Sequence, residues 1–190
     1  IDPRQFIGAG GGNQAFIIKG IISEELEAPQ ANQTKFVFRV SKKDLSDPAE
    51  LEKNIKLRRL ATPLKVASFP WSNMSPKIVD MIYQDHGNLG SVDVFRGERL
   101  SCYIERLKNK LTASDLFLIA LKMADAVERL RMIGHVNFLL HGDLHWGNFF
   151  ILDGKVSIGD FDGALAASSG QNLVEFTAQF AGPELFQGEN

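Results

Sequence analysis

Three oxygen-bearing side chains in the C-terminal third of the chain, Asp143, Asn148 and Asp160, are spaced so that folding can bring them to one place. Asn148 follows Asp143 by five positions, and Asp160 follows Asn148 by twelve. The stretch between the last two reads Phe149-Phe150-Ile151-Leu152, Asp153-Gly154, Lys155-Val156-Ser157-Ile158. An Asp-Gly pair between apolar segments is the pattern of a two-residue hairpin, and a hairpin returns its ends to each other. Carboxylate and carboxamide oxygens gathered this way suit a magnesium-sized cation, and a carboxylate beside them suits an acceptor hydroxyl. Near the other end, Gly8-Ala9-Gly10-Gly11-Gly12-Asn13 lies between Phe6-Ile7 and Ala15-Phe16-Ile17-Ile18. Backbone amides freed of side chains between two strands can approach phosphate oxygens. A phosphate cradle, cation ligands and a carboxylate for the acceptor are the parts that phosphoryl transfer from a nucleotide requires.

The elements that must position these residues follow from the pattern of the chain. Gln5 to Lys19 reads as two strands around the glycine turn, Ser23 to Thr34 as a loop, and Lys35 to Lys42 as a third strand. Asp47 can cap a helix that has Pro48 at its first position, Glu50 where a capping-box acid reaches back, and an end near Leu60. Leu64 to Phe69 and Lys77 to Tyr83 read as further strands. The fold class expected is α+β: residues 1–85 a mostly antiparallel sheet with one helix, a hinge at about 85–90 (Asp85 to Gly90), and residues 91–190 a mainly helical part. Thr112 and Asp115 make a capping box for a long helix whose Leu116, Ile119, Ala120, Met123, Val127 and Leu130 recur every three or four residues. That stripe is explained by burial in a core, so Met123 and its neighbours are given no cofactor role.

His141-Gly142-Asp143-Leu144-His145-Trp146-Gly147-Asn148 resembles the catalytic loop of the protein-kinase-like superfamily in its H-G-D-L-H-x-x-N spelling. Asp160-Phe161-Asp162-Gly163 resembles the D-F-G magnesium segment, in the D-F-D variant of aminoglycoside and other small-molecule phosphotransferases. The likeness runs from about Ile7 to Glu184, with these two motifs the sharp ones. It implies a bilobal kinase-like fold with a reduced helical C-lobe in a single minimal domain, with ATP and magnesium as cofactors. It makes Asp143 the carboxylate that orients or deprotonates the acceptor hydroxyl, Asn148 and Asp160 the metal ligands, and Gly8, Gly10 and Gly12 the phosphate loop. At the third strand, Val37-Phe38-Arg39 aligns with the family's A-x-K, so Arg39 takes the lysine's place, sharing a face with Val37 while Lys42 points oppositely. The helical glutamate that would pair with this cation is Glu50 or Glu52; Glu50 is as well explained as a cap, which leaves Glu52.

Only thirty residues follow Asp160, among them Ala181-Gly182-Pro183-Glu184, which resembles the A-P-E that closes an activation segment. The family's later helices are missing, so the sequence is either cut from a longer one or that of a minimal kinase; the second fits better and is similar to the HopBF-like effectors that bacterial pathogens inject into host cells. The resemblance then implies a Ser/Thr protein kinase whose partner is a host protein, such as a chaperone or a signalling protein, met in the host cytosol. An apolar patch around Phe176, Phe180 and Phe186 is left for that partner. The alternatives are a small-molecule phosphotransferase, favoured by the loop spelling and Asp162, and a nucleotide-binding pseudokinase, motivated by Arg39; AMP transfer is more remote. His145 either touches a transferring phosphate or shapes the loop, and Asp162 either assists the metal or caps the following turn. Trp146 reads more as a loop anchor than as a substrate platform. A zinc pair from His141 and His145 is set aside, because that spacing needs a helix and the flanking glycines argue for a loop. His86 and His135 are read as structural, and Lys53, Lys56, Arg58 and Arg59 as a solvated helix face.

Composition bounds the remainder. At 190 residues with 44% hydrophobic and 23% charged, the chain has the makeup of an ordinary globular domain, neither disordered nor fibrous. A net charge of −2 gives no whole-protein attraction to nucleic acid or to an anionic membrane. The longest apolar run, Leu116 to Leu121, has six residues, far short of the ~20 that span a bilayer. Cys102 is the single cysteine, which removes intrachain disulfides and fits a reducing compartment, so the cytosol is expected. A monomer is the expected assembly. The chain opens at Ile1 with no signal pattern.

Overall fold

The computed structural model describes residues 6–9, 13–18, 35–42, 45–69, 81–85, 87–137, 139–166, 177–180 and 182–183. The protein is a mixed α+β chain in two compact units, one made of residues 1–59 and 74–95, the other of residues 60–73 and 96–190.

The first unit is an antiparallel sheet carrying one helix. Its strands are β1 (Phe6–Ala9), β2 (Asn13–Ile18), β3 (Phe36–Ser41), β4 (Met81–Asp85) and β5 (Asn88–Val94), in the order β1-β2-β3-β5-β4. Register pairs Gly8 with Ala15, Ala15 with Arg39, Arg39 with Ser91, and Ser91 with Ile82, so one row crosses all five strands. Residues directly opposite in an antiparallel ladder share a face, as do residues two apart on one strand. Arg39, Ser91 and Leu89 therefore lie on the same side of the sheet. Helix α1 (Pro48–Leu60) covers that side: its Leu51 and Ile55 pack with Leu45, Leu89 and Ile82. On the other face Phe36, Val92 and Val94 are buried. There Gly90 meets the Phe38 ring so closely that a Cβ would stand 2.7 Å from it.

Asp47 caps α1 as expected, its Oδ1 accepting from the Ala49 amide at 3.0 Å. Glu50 does not complete a capping box. Its carboxylate accepts from Asn54 Nδ2 at 3.0 Å, one turn onward, because the i, i+4 neighbour lies closer to its side chain than the helix start. The segment expected as a hinge is instead the β4–β5 hairpin, which pairs Asp85 with Asn88 and Gln84 with Leu89 and turns at Gly87, φ +82°. Of the strand expected over Lys77 to Tyr83, the structure describes Met81 onward, as part of β4; residues 77–80 lie outside the described residues.

In the second unit, Thr62 to Ser68 forms helix α2 where a strand was expected. Pro63 suits the first turn, and the buried residues Ala61, Leu64, Lys65 and Ser68 recur at three and four, a spacing that a strand would split between two faces. β6 (Glu98–Arg99) and helices α3 (Leu100–Leu107) and α4 (Ala113–Asn137) follow. The capping box of α4 forms as expected: Asp115 Oδ2 accepts from the Thr112 amide at 2.8 Å and its hydroxyl at 2.6 Å, while Thr112 Oγ1 accepts from the Asp115 amide at 3.2 Å. Next come β7 (Leu139–Leu140), β8 (Phe149–Leu152), β9 (Lys155–Ile158) and β10 (Leu165–Ala166), which pair as β6-β8-β9 and β7-β10.

The core joins Ala61 and Leu64 of the α2 region, Leu100 of α3, Ile119, Ala126 and Leu130 of α4, and Phe149, Ile151, Val156, Ile158 and Phe161 of the hairpin region, with Met123 and Val127 packed at its edge. The stripe on α4 is thus buried only in part. Leu116 is 45% exposed and Ala120 is also exposed, beside Phe117 at 65%, Leu118 at 53% and Leu121 at 50%. Among the described residues no helix is long and apolar enough to cross a membrane.

Candidate functional site

The hairpin read from the sequence is present. β8 and β9 pair Leu152 with Lys155 and Phe149 with Ile158, and the turn has φ +49° at Asp153 and +72° at Gly154, the left-handed pair of a type I′ hairpin. It thereby brings Asn148 and Gly159 face to face, and the Gly159 amide donates to the Asn148 carbonyl at 2.9 Å. Asn148, only 3% exposed, also donates from Nδ2 to the Asp143 carbonyl at 2.9 Å. One asparagine is therefore bonded both to the residue of the first acidic position and to the residue preceding the second.

Two histidines shape the loop by different means. His141 is buried, its Nδ1 accepting from the Asp143 amide at 3.3 Å. That leaves the ring proton on Nε2, which lies 3.1 Å from the Gly159 carbonyl as donor. Its ring packs on Phe161 at 4.7 Å. Burial holds the His141 pKa below the ordinary histidine value and outweighs the opposing pull of the Gly159 bond and of Asp160 and Asp143, so the ring stays neutral. His145 Nδ1 accepts from the Gly147 amide at 3.1 Å, which turns Nε2 toward Asp143 Oδ2 at 3.5 Å. His145 shapes the loop and borders the carboxylate, and Phe180 stacks flat on its ring at 5.2 Å. The other carboxylate oxygen, Asp143 Oδ1, accepts from the Thr177 amide at 2.8 Å.

Asp160 occupies the left-handed region, φ +64° and ψ +59°, where side chains other than glycine are strained, and it leads into the one-turn 3-10 helix Phe161–Gly163. Strain of this kind persists where the surroundings over-determine the backbone, and it gathers at functional positions. Asn148 and Asp160 are the residues that could hold a divalent cation. A carboxamide and a carboxylate oxygen suit magnesium, which commonly takes one or two protein oxygens and completes its shell with water and substrate phosphates. A closed protein cage is not built: among the described residues no group of three His, Cys, Asp or Glu could hold a metal ion.

The other expected residues belong to the first unit. Gly8 and Arg39 sit in one row of the sheet, two strands apart, with Ala15 between them. Gly10 and Gly12 lie outside the described residues. Glu52 is exposed on α1. The helical side chain that reaches the sheet is Arg58, expected as part of a solvated face, which donates to Ser91 Oγ at 3.0 Å and to Asn13 Oδ1 at 3.4 Å. Its neighbours Lys53, Lys56 and Arg59 are exposed as expected.

No family model and no curated protein matches the chain.

The chemistry is therefore read from the geometry. Asp143 presents a partly exposed carboxylate flanked by His145 and by the one-turn helix Ala178–Phe180, and Asn148 ties the backbone carbonyl of Asp143 to the peptide preceding Asp160. Leu144 and Trp146 of the same loop, and Phe180 stacked on His145, are 38%, 55% and 47% exposed. Phe176 and Phe186, expected to extend that patch, lie outside the described residues. The sequence reading missed Thr177, which carries no local signal because its amide meets Asp143 across 34 positions.

Proposed function

We propose that the chain is a phosphotransferase of the protein-kinase-like superfamily, which moves the γ-phosphoryl group of ATP onto a serine or threonine hydroxyl of a protein. The observation that carries this reading is the doubly bonded Asn148, whose side chain holds the Asp143 carbonyl and whose backbone carbonyl holds the peptide preceding Asp160. In this reading the two units correspond to the two lobes of the superfamily. Asp143 accepts the proton of the acceptor hydroxyl as its oxygen attacks the γ-phosphorus, and the bond to the bridging oxygen breaks to release ADP. Asn148 and Asp160 would hold a magnesium ion, which would neutralise charge on the phosphates. Gly8, at the start of the glycine run, offers a backbone without a Cβ, and nothing lies within 4 Å of where one would be. Arg39 supplies a guanidinium for phosphate oxygens, a group well matched to them as a fork of N–H donors.

Exposed apolar side chains on the loop and at Phe180 support a protein acceptor over a polycationic small molecule. Exposed Leu144, Trp146 and Phe180 suit apolar side chains of a peptide, whereas an aminoglycoside calls for clustered carboxylates. The extension to a host protein rests on the resemblance to effector kinases. Incubation with γ-labelled ATP, magnesium and a eukaryotic lysate tests the proposal. A labelled protein that disappears with Asp143→Ala is the expected result. The absence of any label on protein, with label instead on a small molecule, would reject the protein acceptor and leave the transfer chemistry.

A further inference from the structure

A second set of contacts, made by the α2 region and Arg96, meets the residues around Asp160. Arg96, between β5 and β6, is 6% exposed. Its Nη1 donates to Ser68 Oγ at 3.3 Å and its Nη2 to the Lys65 carbonyl at 3.1 Å. The guanidinium carbon stands 5.1 Å from the Phe69 ring centroid and 6.0 Å from that of Phe161. Arg96 Cδ is so near Gly159 that a Cβ there would meet it at 3.3 Å. Ser68, fully buried near the end of α2, lies with Oγ 2.9 Å from the Ile158 carbonyl and 3.1 Å from that of Lys65, sharing its proton between them.

Residues 158, 159 and 161 are thus held from the α2 side by Ser68 and Arg96, while Gly159 and Phe161 are held from the loop side by His141 and Gly159 by Asn148. The residue in the middle of this grip is Asp160 in its left-handed conformation. A backbone strained in this way stays put only if its neighbours cannot move, and here the residues on both sides of it are fixed.

We propose that Arg96 and Ser68 are positioning residues for the Asp160 carboxylate, a buried clamp that presets the cation-binding turn before any ligand arrives. The inference rests on the reading of Asp160 as a magnesium ligand. Arg96 touches neither nucleotide nor acceptor in this account; it acts through the Phe161 ring and the Gly159 backbone. A planar fork that bonds two acceptors and lies over rings is a role lysine cannot fill.

The test uses the full chain with Ser68→Ala, Arg96→Lys and Arg96→Met, and reads the rise in melting temperature given by ATP as magnesium is titrated. In wild type the rise should depend on magnesium. In Ser68→Ala and Arg96→Met the half-saturating magnesium concentration should increase about tenfold, with metal-free ATP affinity unchanged, because a preset ligand lowers the cost of binding. Arg96→Lys should behave like Arg96→Met despite its retained charge. A purely structural role would lower the ligand-free melting temperature and leave the half-saturating magnesium where it is, and that result overturns the proposal. Ser68→Ala removes a single oxygen, so it decides the matter if an Arg96 variant does not fold. A wild type whose melting ignores magnesium would instead overturn the phosphotransferase reading on which the clamp rests.

Discussion

Asn148→Ala should unfold more easily than the wild type by an amount that the structure sets. The substitution deletes a carboxamide that is 3% exposed and donates to the Asp143 carbonyl at 2.9 Å. The backbone bonds of Asn148 to His145 and to Gly159 stay in place, so the loss is confined to the side chain. Leaving a partly buried carbonyl without its donor costs about 1–3 kcal/mol. At this chain length each kcal/mol moves the melting temperature by roughly 2–4 °C, so a fall of roughly 2–12 °C is expected. Asn148→Asp separates the donor from the oxygen. It keeps an oxygen for a cation but turns an ionised carboxylate toward the Asp143 carbonyl, so at pH 7 it should be at least as unstable as Asn148→Ala; burial raises the pKa of the new acid above the unfolded value of about 4, so the deficit should shrink as pH falls from 7 toward 4. Thermal and urea unfolding of the three proteins at pH 7 and pH 4 measure this. An Asn148→Ala stability within about 0.5 kcal/mol of wild type, the range of an ordinary surface change, would refute the buried bond.

His141 makes stability pH-dependent with a definite sign. Its pKa is lowered by burial, so the unfolded chain binds the proton more readily; the contribution of His141 is complete above the ordinary value near pH 6.5 and is lost as pH falls below it, with a slope of at most about 1.4 kcal/mol per pH unit, and His141→Gln should flatten the decline seen by urea unfolding between pH 7 and pH 5. Gly154→Ala should cost about 1 kcal/mol for its φ of +72° alone, since the nearest atom to a new Cβ is Lys122 Nζ at 3.8 Å. Gly159→Ala should cost about 1–3 kcal/mol by overpacking, since its Cβ would fall 2.7 Å from the Phe150 ring; equal unfolding midpoints for the two variants would count against the close approach at Gly159. Arg39→Ala should lower the transfer rate while Lys42→Ala, exposed beyond the end of β3, should not, and the reverse ranking in a labelled-ATP assay would overturn the proposed phosphate contact.

What could be read from the sequence was what depends on near neighbours. The Asp153-Gly154 turn, the Thr112 and Asp115 box and the Asp47 cap are each decided within a few residues, and all three form as read. The face shared by Val37 and Arg39 follows from the two-residue repeat of a strand. Leu64 to Phe69 misled because a short apolar run fits strand or helix alike, and packing with Ala61 and Ile158 in one core decided for α2. The hinge misled for a similar reason: His86-Gly87-Asn88 carries a turn signal, which does not distinguish a hairpin from a linker. At the site, the loop and hairpin were legible because they are one continuous stretch. The Thr177 amide on Asp143, Phe180 on His145 and the Arg96 to Ser68 clamp join residues 28 to 35 positions apart, and no local pattern announces them.

In the proposed function Asp143 serves the acceptor while Asn148 and Asp160 serve a magnesium-bound nucleotide. Thermal unfolding of wild type, Asp143→Ala and Asp160→Ala with ATP, with magnesium and with both tests it most directly. Ligand at a hundred times its dissociation constant stabilises a fold by about 2.7 kcal/mol, well within reach of such curves. ATP and magnesium together should raise the melting temperature of wild type and Asp143→Ala more than either alone, and the magnesium-dependent part should vanish in Asp160→Ala. Identical wild-type curves with and without magnesium and ATP, or an Asp160→Ala response equal to that of wild type, would contradict the claim.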